Sequence, residues 1–160
     1  MLLRYLAIKI MKENIDQFKL ASRGYSDASV IMHEAIAAKA GLTGADHKYL
    51  SLIIKKGEMT AGELSVVTGL TTGAVTGLID RLEKKKLLSR KFDKADRRKV
   101  LIVPNVQNAT KLLAPFFAEL QEKTANLLEA FSTEELSAIE RYFTSATAIM
   151  QEVTHNLNTK

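Results

Sequence analysis

Apolar residues recur along this chain at helical spacing over most of its length. Near the start, Leu3, Leu6 and Ile10 fall on one face of an amphipathic helix, although Arg4 and Lys9 interrupt the run. A turn is expected around Arg23–Asp27, after which Ala28–Ala40 places Ile31, Ala35 and Ala38 on one face and ends before Gly41. The next helix spans about Gly44 to Lys55, turns Tyr49, Leu52 and Ile53 inward, and stops at Gly57. Thr60-Ala-Gly-Glu63 then reads as a capping box, in which hydroxyl and carboxylate satisfy amide donors at a helix start. That helix is brief because Gly69 ends it, and Thr71 can cap a second one reaching about Lys86. Two short helices joined by a glycine-containing turn outline a helix-turn-helix.

From Leu87 the pattern changes. Leu88–Phe92 and Val100–Val103 are β-prone runs flanking a polar stretch, and they predict a two-stranded ribbon with a charged tip. Past Pro104 the chain returns to helix, with Leu113, Phe116, Leu120 and Leu127 on one side of Asn105–Ala130 and a fresh start at Ser132–Glu135. In the last helix Leu136, Ile139, Phe143, Ala146, Met150, Val153 and Leu157 alternate spacings of three and four. This seven-residue repeat is the seam of a helix packed lengthwise against others. Such a seam can close within one chain or between two. With the apolar N-terminal helix beside it, a homodimer interface built on Leu3, Leu6, Ile10, Leu136, Ile139, Phe143, Met150, Val153 and Leu157 is the preferred expectation.

Composition narrows the function. The 160 residues are 46% apolar and 26% charged, ordinary for a globular domain with a sizeable core. With no cysteine, disulfides, thiolate metal sites and cysteine nucleophiles are excluded. The net charge of +5 is unevenly placed: residues 80–99 carry ten basic side chains against four acidic ones, leaving the remainder close to neutral. A neutral body with one basic segment points to a polyanion site. No stretch approaches the roughly 18 apolar residues of a membrane span, and no cleavage site follows the N-terminal run. A cytoplasmic protein with no membrane partner is expected.

The central helix shows how such a site would work. At 100° per residue, Val75, Leu78, Ile79 and Leu82 face the core, while Gly73, Thr76, Gly77, Asp80 and Lys84 face away. Two glycines on an exposed helical face cost roughly 1 kcal/mol each relative to alanine, a cost justified where another surface must approach closely. Small and polar residues there suit a DNA major groove. Asp80 would repel phosphates and is expected to pair with Lys84 one turn on. At the ribbon tip, Lys94, Arg97, Arg98 and Lys99 cluster, and an arginine so placed can enter a minor groove. Together these predict a mainly α fold with a small β-wing: a winged helix-turn-helix core over residues 42–104, flanked by dimerisation helices over 1–41 and 105–160 in one compact domain.

Other functions find less in the residues. There is no nucleophile elbow, P-loop or dinucleotide fingerprint, so neither catalytic residues nor a cofactor are expected. The competing readings are a helical protein-interaction module, which leaves the basic ribbon unexplained, and a metal sensor using His33, Glu34 and His47. No histidine pair has the i, i+4 spacing of helical ligands, so no metal site is expected, and His47 is read as an exposed helix-start residue.

The strings ThrAlaGlyGluLeuSer at 60–65, GlyLeuThrThrGlyAlaValThrGlyLeuIleAspArgLeuGlu at 69–83 and AspLysAlaAspArgArg at 93–98 resemble the MarR family of bacterial winged-helix transcription regulators. The resemblance covers about 60 residues and implies a homodimer that grips a pseudo-palindromic double-stranded DNA operator. It implies that Thr72, Gly73 and Thr76 lie near DNA, with Thr60, Thr71, Gly77, Lys84, Arg90 and Lys94 joining them. Arg98 matches the wing arginine of the minor groove, Asp96 its acidic holder, and Arg97 and Lys99 phosphate contacts. It also implies an effector, a small aromatic or phenolic anion, for which His33 and Tyr49 are the candidate pocket residues. Two departures stand out: Lys86 occupies a position where the family usually has glycine, and Val103-Pro-Asn-Val106 replaces the usual start of the following helix.

Overall fold

The computed structural model describes residues 2–158, with side chains from residue 4 onward, so the Leu3 side chain lies outside the described residues. In chain order the elements are α1 (Leu2–Lys39), α2 (Gly44–Lys56), β1 (Met59–Thr60), α3 (Ala61–Thr68), α4 (Thr72–Lys84), β2 (Leu88–Phe92), β3 (Val100–Pro104), α5 (Val106–Leu128) and α6 (Thr133–Asn158). They form two units, residues 1–44 and 45–160. The fold is mainly helical with a small antiparallel sheet, as expected.

The first unit is dominated by α1, one unbroken 38-residue helix. The turn expected around Arg23–Asp27 does not occur, and Gly24 sits inside the helix with open space beside it. One glycine costs a helix interior about 1 kcal/mol, too little to stop propagation once the turns on either side have formed. The helix ends where Gly41, at φ +67°, takes the left-handed conformation. There the Leu42 amide bonds the Ala37 carbonyl at 2.8 Å and the Gly41 amide the Ala38 carbonyl at 3.1 Å, a Schellman ending.

The second unit holds the winged helix. Its core gathers Leu50 and Ile53 from α2, Leu64 from α3, Val75, Leu78, Ile79 and Leu82 from α4, Leu88 and Ile102 from the sheet, and Ala109 and Leu113 from α5. The ribbon strands β2 and β3 pair antiparallel from Leu88 opposite Pro104 to Phe92 opposite Val100. The sheet has a third strand that the hydrophobic pattern does not reveal: β1 pairs Met59 with Ile102 and Thr60 with Leu101, giving the order β1-β3-β2. The helix-turn-helix is pinned as the motif predicts. The Thr60 amide donates to the Glu63 carboxylate at 2.7 Å and the Glu63 amide to the Thr60 hydroxyl at 3.2 Å. Gly69 closes α3 at φ +70°, and Thr71 caps α4 by accepting from the Ala74 amide.

The exit from α4 repeats the ending of α1 with a different residue. The Leu87 amide reaches the Leu82 carbonyl at 3.0 Å and the Lys86 amide the Glu83 carbonyl at 2.8 Å. Lys86 itself stands at φ +58°, the left-handed region that a side chain disfavours. Two contacts hold it there: Leu87 and Leu82 are both buried, and the Asn108 side-chain amide donates to the Lys86 carbonyl at 2.9 Å. Asn105 caps α5 in turn, accepting from the Asn108 amide, so the departure after Pro104 still yields a capped helix.

The seam residues of α6 find little cover. No residue of α6 is buried; Leu136, Ile139 and Ala146 are half-buried, whereas Phe143, Met150, Val153 and Leu157 are exposed. Leu6 and Ile10 of α1 are exposed as well.

Lys86→Gly is expected to raise stability by about 0.5–1 kcal/mol, since relief of the left-handed strain exceeds the added freedom of the unfolded chain. Thermal denaturation measures it, and an unchanged or lower Tm would contradict the strain at this residue.

Candidate nucleic-acid interface

Two surfaces of the second unit carry the predicted chemistry: the outer face of α4 and the tip of the β2–β3 ribbon. On α4, Thr71, Thr72, Gly73, Thr76, Asp80 and Lys84 are exposed and Gly77 is half-buried. A Cβ added at Gly73 would meet nothing within 4 Å, so the protein's own packing does not require glycine there. The Thr76 hydroxyl donates back to the Thr72 carbonyl at 3.0 Å, which leaves its lone pairs and methyl for an outside partner. The Thr60 hydroxyl is occupied in both senses, accepting from the Glu63 amide and donating to the Glu63 carboxylate at 2.9 Å.

The ribbon tip is shaped by two aspartates. Asp93 Oδ1 accepts from the amides of Ala95 (2.6 Å) and Asp96 (3.1 Å), and its own amide reaches the Lys99 carbonyl at 2.9 Å. Those amide bonds hold the Asp93 carboxyl below its ordinary value. Asp96 Oδ1 accepts from both the Arg98 amide (3.0 Å) and the Arg98 Nε (3.1 Å). Arg98 is thus held at one edge while 93% of its side chain stays in solvent. Lys94, Arg97 and Lys99 are exposed around it.

Arg90 does something else. Its guanidinium bonds Asp80 at 2.6 Å and also the Glu83 carboxylate, while its amide donates to Glu83 at 3.0 Å. The hydrogen bond it donates to Asp80, then that to Glu83, raises its pKa. The expected partner of Asp80, Lys84, is therefore replaced by Arg90, whose planar fork gives Nη2 to Asp80 and Nη1 to Glu83. This triad ties β2 to α4 and compensates the charge of Arg90, whereas Lys84, Lys85, Lys86 and Lys91 remain exposed cations.

A second ion pair lies deeper. Asp46, in the first turn of α2, is only 2% exposed and takes Arg81 of α4 along one edge, Nε at 3.1 and 3.2 Å and Nη2 at 2.7 Å. This pair raises the Arg81 pKa. It went unread in the sequence because the partners are 35 residues apart and neither belongs to a local motif. Beside it, His47 is buried and stacks on Phe117 with ring centres 6.0 Å apart, contrary to the exposed position expected of it. The reason is helical phase: residue 47 shares a face with Leu50, which belongs to the core.

His33 of the first unit and Tyr49 of the second are each half-buried. Among the described residues no group of three or more His, Cys, Asp or Glu side chains could hold a metal ion, and no single helix is long and apolar enough to cross a membrane.

Comparison with known proteins agrees with this geometry. Residues 40–99, from the end of the first unit through the helix-turn-helix to the ribbon tip, match the model of the MarR family. The chain is 41% identical over 124 residues to the uncharacterized HTH-type transcriptional regulator YcgE of Bacillus subtilis, covering 78% of this chain and 80% of that one. Among solved structures it is similar to a MarR family protein from Bacillus stearothermophilus (25% identity, TM-score 0.66, 87% of this chain and 96% of that one). It is also similar to the transcriptional regulator Tm0710 from Thermotoga maritima (25% identity, TM-score 0.62, 86% and 96%).

The capping box predicts a pH dependence. Hydrogen bonds from the Thr60 amide and hydroxyl hold the Glu63 carboxyl below its ordinary value of 4.5. A depressed folded pKa contributes stability above the unfolded value and loses it as pH falls through the folded one. Wild type and Glu63→Gln should therefore differ in Tm at neutral pH and converge as pH drops below 4.5. Melting curves across that range that stayed parallel would contradict the linkage.

Proposed function

The chain belongs to the MarR family of transcriptional regulators, and from that premise we propose that it acts as a homodimer on a pseudo-palindromic operator. Each copy lays the outer face of α4 in a major groove and places its ribbon tip in the adjacent minor groove. The observation that carries this is the pairing of two surfaces on one compact unit. One is a helical face kept low by Gly73 and Gly77 and edged by threonines. The other is a tip whose arginine, Arg98, is almost wholly in solvent yet held by Asp96. A protein with only a solvated charge run has no need to orient that arginine.

The dimer reading is supported by the seam of α6. A seven-residue apolar repeat left with no buried member, together with Leu6, Ile10 and other exposed apolar residues of α1, is more apolar surface than a monomer ordinarily leaves in water. A second copy covers it and sets the distance between recognition helices, which a palindrome with half-sites one helical turn apart requires. The effector component, a small aromatic or phenolic anion, rests on the family resemblance; it would act by favouring one dimer geometry over another. The cytoplasm is the compartment in which such a regulator meets its operator.

The reading is tested by titrating the protein into duplex DNA from upstream of its own gene beside a scrambled duplex, at several salt concentrations. Sequence-dependent binding with a steep negative salt slope is expected, and equal or absent binding at low salt overturns it. Arg98→Ala should weaken binding by about 1–3 kcal/mol and relax the preference at flanking A·T steps, read from affinities for operators altered at those steps. Unchanged affinity would remove Arg98 from the site. Phe143→Glu or Met150→Glu should weaken the dimer and operator binding together, followed by sedimentation and by the same titration. A monomer that binds full operator normally would contradict the seam.

A further inference from the structure

Arg81 is the sole arginine of α4, and its surroundings are unlike those of the other basic residues. Its guanidinium is gripped along one edge, through Nε and Nη2, by the buried carboxylate of Asp46. The side chain nevertheless stays 53% exposed. Side chains on a helix lean toward its N-terminus, and Arg81 leans back one turn, so that Nη1 lies 3.4 Å from where a Cβ on Gly77 would stand. Residues 73, 77 and 81 form one stripe at i, i+4, i+8, and Gly77 leaves the gap that admits the guanidinium. It thereby reaches toward the N-terminal half of α4, the part of a recognition helix that meets base edges.

From this geometry we infer that Arg81 is a specificity-determining residue that reads a guanine in the major groove, with Asp46 as its positioning residue and Gly77 as the gap through which it reaches. The inference rests on the DNA-binding reading above. A carboxylate on the Nε–Nη2 edge consumes two of the five N–H donors and leaves the Nη1–Nη2 end directed outward. That end offers two parallel donors, the arrangement that matches guanine O6 and N7. A phosphate contact needs only a nearby positive charge, which Lys84 and the ribbon cations already supply, whereas a bidentate base contact needs a guanidinium whose plane is set beforehand. A buried carboxylate holding both nitrogens of one edge sets it.

The experiment is selection of bound sequences from a pool of duplexes with a randomised centre, using the full-length protein and its Arg81→Lys and Asp46→Asn variants. Thermal melts confirm that each variant folds. Arg81→Lys keeps a cation for Asp46 but lacks the planar fork, so it serves where Arg81→Ala would strand a buried carboxylate. Wild type is expected to enrich a site with guanine at one position in each half. Arg81→Lys should lose that preference by roughly tenfold or more while keeping the rest of the site. Asp46→Asn should weaken the same position and no other, an outcome that general destabilisation of the fold would not produce. An Arg81→Lys variant that enriches the wild-type site unchanged overturns the inference alone. So does one that loses affinity equally for all sequences with a salt slope smaller by about one, the signature of a phosphate contact. A wild type that enriches no sequence overturns the DNA-binding reading, and this inference with it.

Discussion

Helix α4 must satisfy two surfaces at once, and the winged helix is arranged around that constraint. Val75, Leu78, Ile79 and Leu82 are withdrawn from water almost completely. At about 1.5–3 kcal/mol for each fully buried side chain, this face contributes several times what Gly73 and Gly77 cost the helix, roughly 1 kcal/mol apiece. The surplus lets the opposite face be chosen for what approaches it from outside. Every neighbouring element then fixes α4 at a separate point: Thr71 at its start, Asp46 through Arg81, Arg90 through Asp80 and Glu83, and Leu87 at its exit.

The charges divide along the same line. Acidic residues in the basic segment are not scattered neutralisers. Asp80 and Glu83 consume Arg90, and Asp93 and Asp96 build the ribbon tip from backbone amides and one guanidinium. The cations with no such duty, Lys84 to Lys86, Lys94, Arg97 and Lys99, stand in solvent. A basic segment that looks undivided in the sequence thus separates into residues that hold the fold and residues that present its charge.

This separation also marks the limit of what the sequence discloses. Features set by local pattern are legible: the capping box at Thr60–Glu63, the Thr71 cap, the strands flanking residues 93–99 and the core face of α4 all lie where periodicity and side-chain chemistry place them. What depends on distant partners is not. β1 is two residues long, too short for alternation to show, and exists because β3 offers it an edge. Asp46 and His47 look like polar residues at a helix start until α4 and α5 cover them. Gly24 resembles a turn signal, yet α1 runs through it because helix formation is cooperative. Of the proposed interface, the outward placement of Thr72, Gly73, Thr76 and Arg98 is legible in the sequence, whereas the structural use of Arg90 and the orientation of Arg81 are not.

The Arg90 triad has a consequence for how the molecule meets a duplex. Because two carboxylates and a shared amide tie β2 to α4, helix and ribbon would meet the proposed duplex as the two jaws of one caliper with a preferred gauge. A caliper that resists adjustment transfers the adjustment to what it measures. Groove width and local bend must come to the gauge, at an elastic cost that differs from one base step to the next. Sequences that deform cheaply between the jaws are favoured even where no side chain touches a base. On the proposed reading, part of the selectivity is then written in the stiffness of DNA.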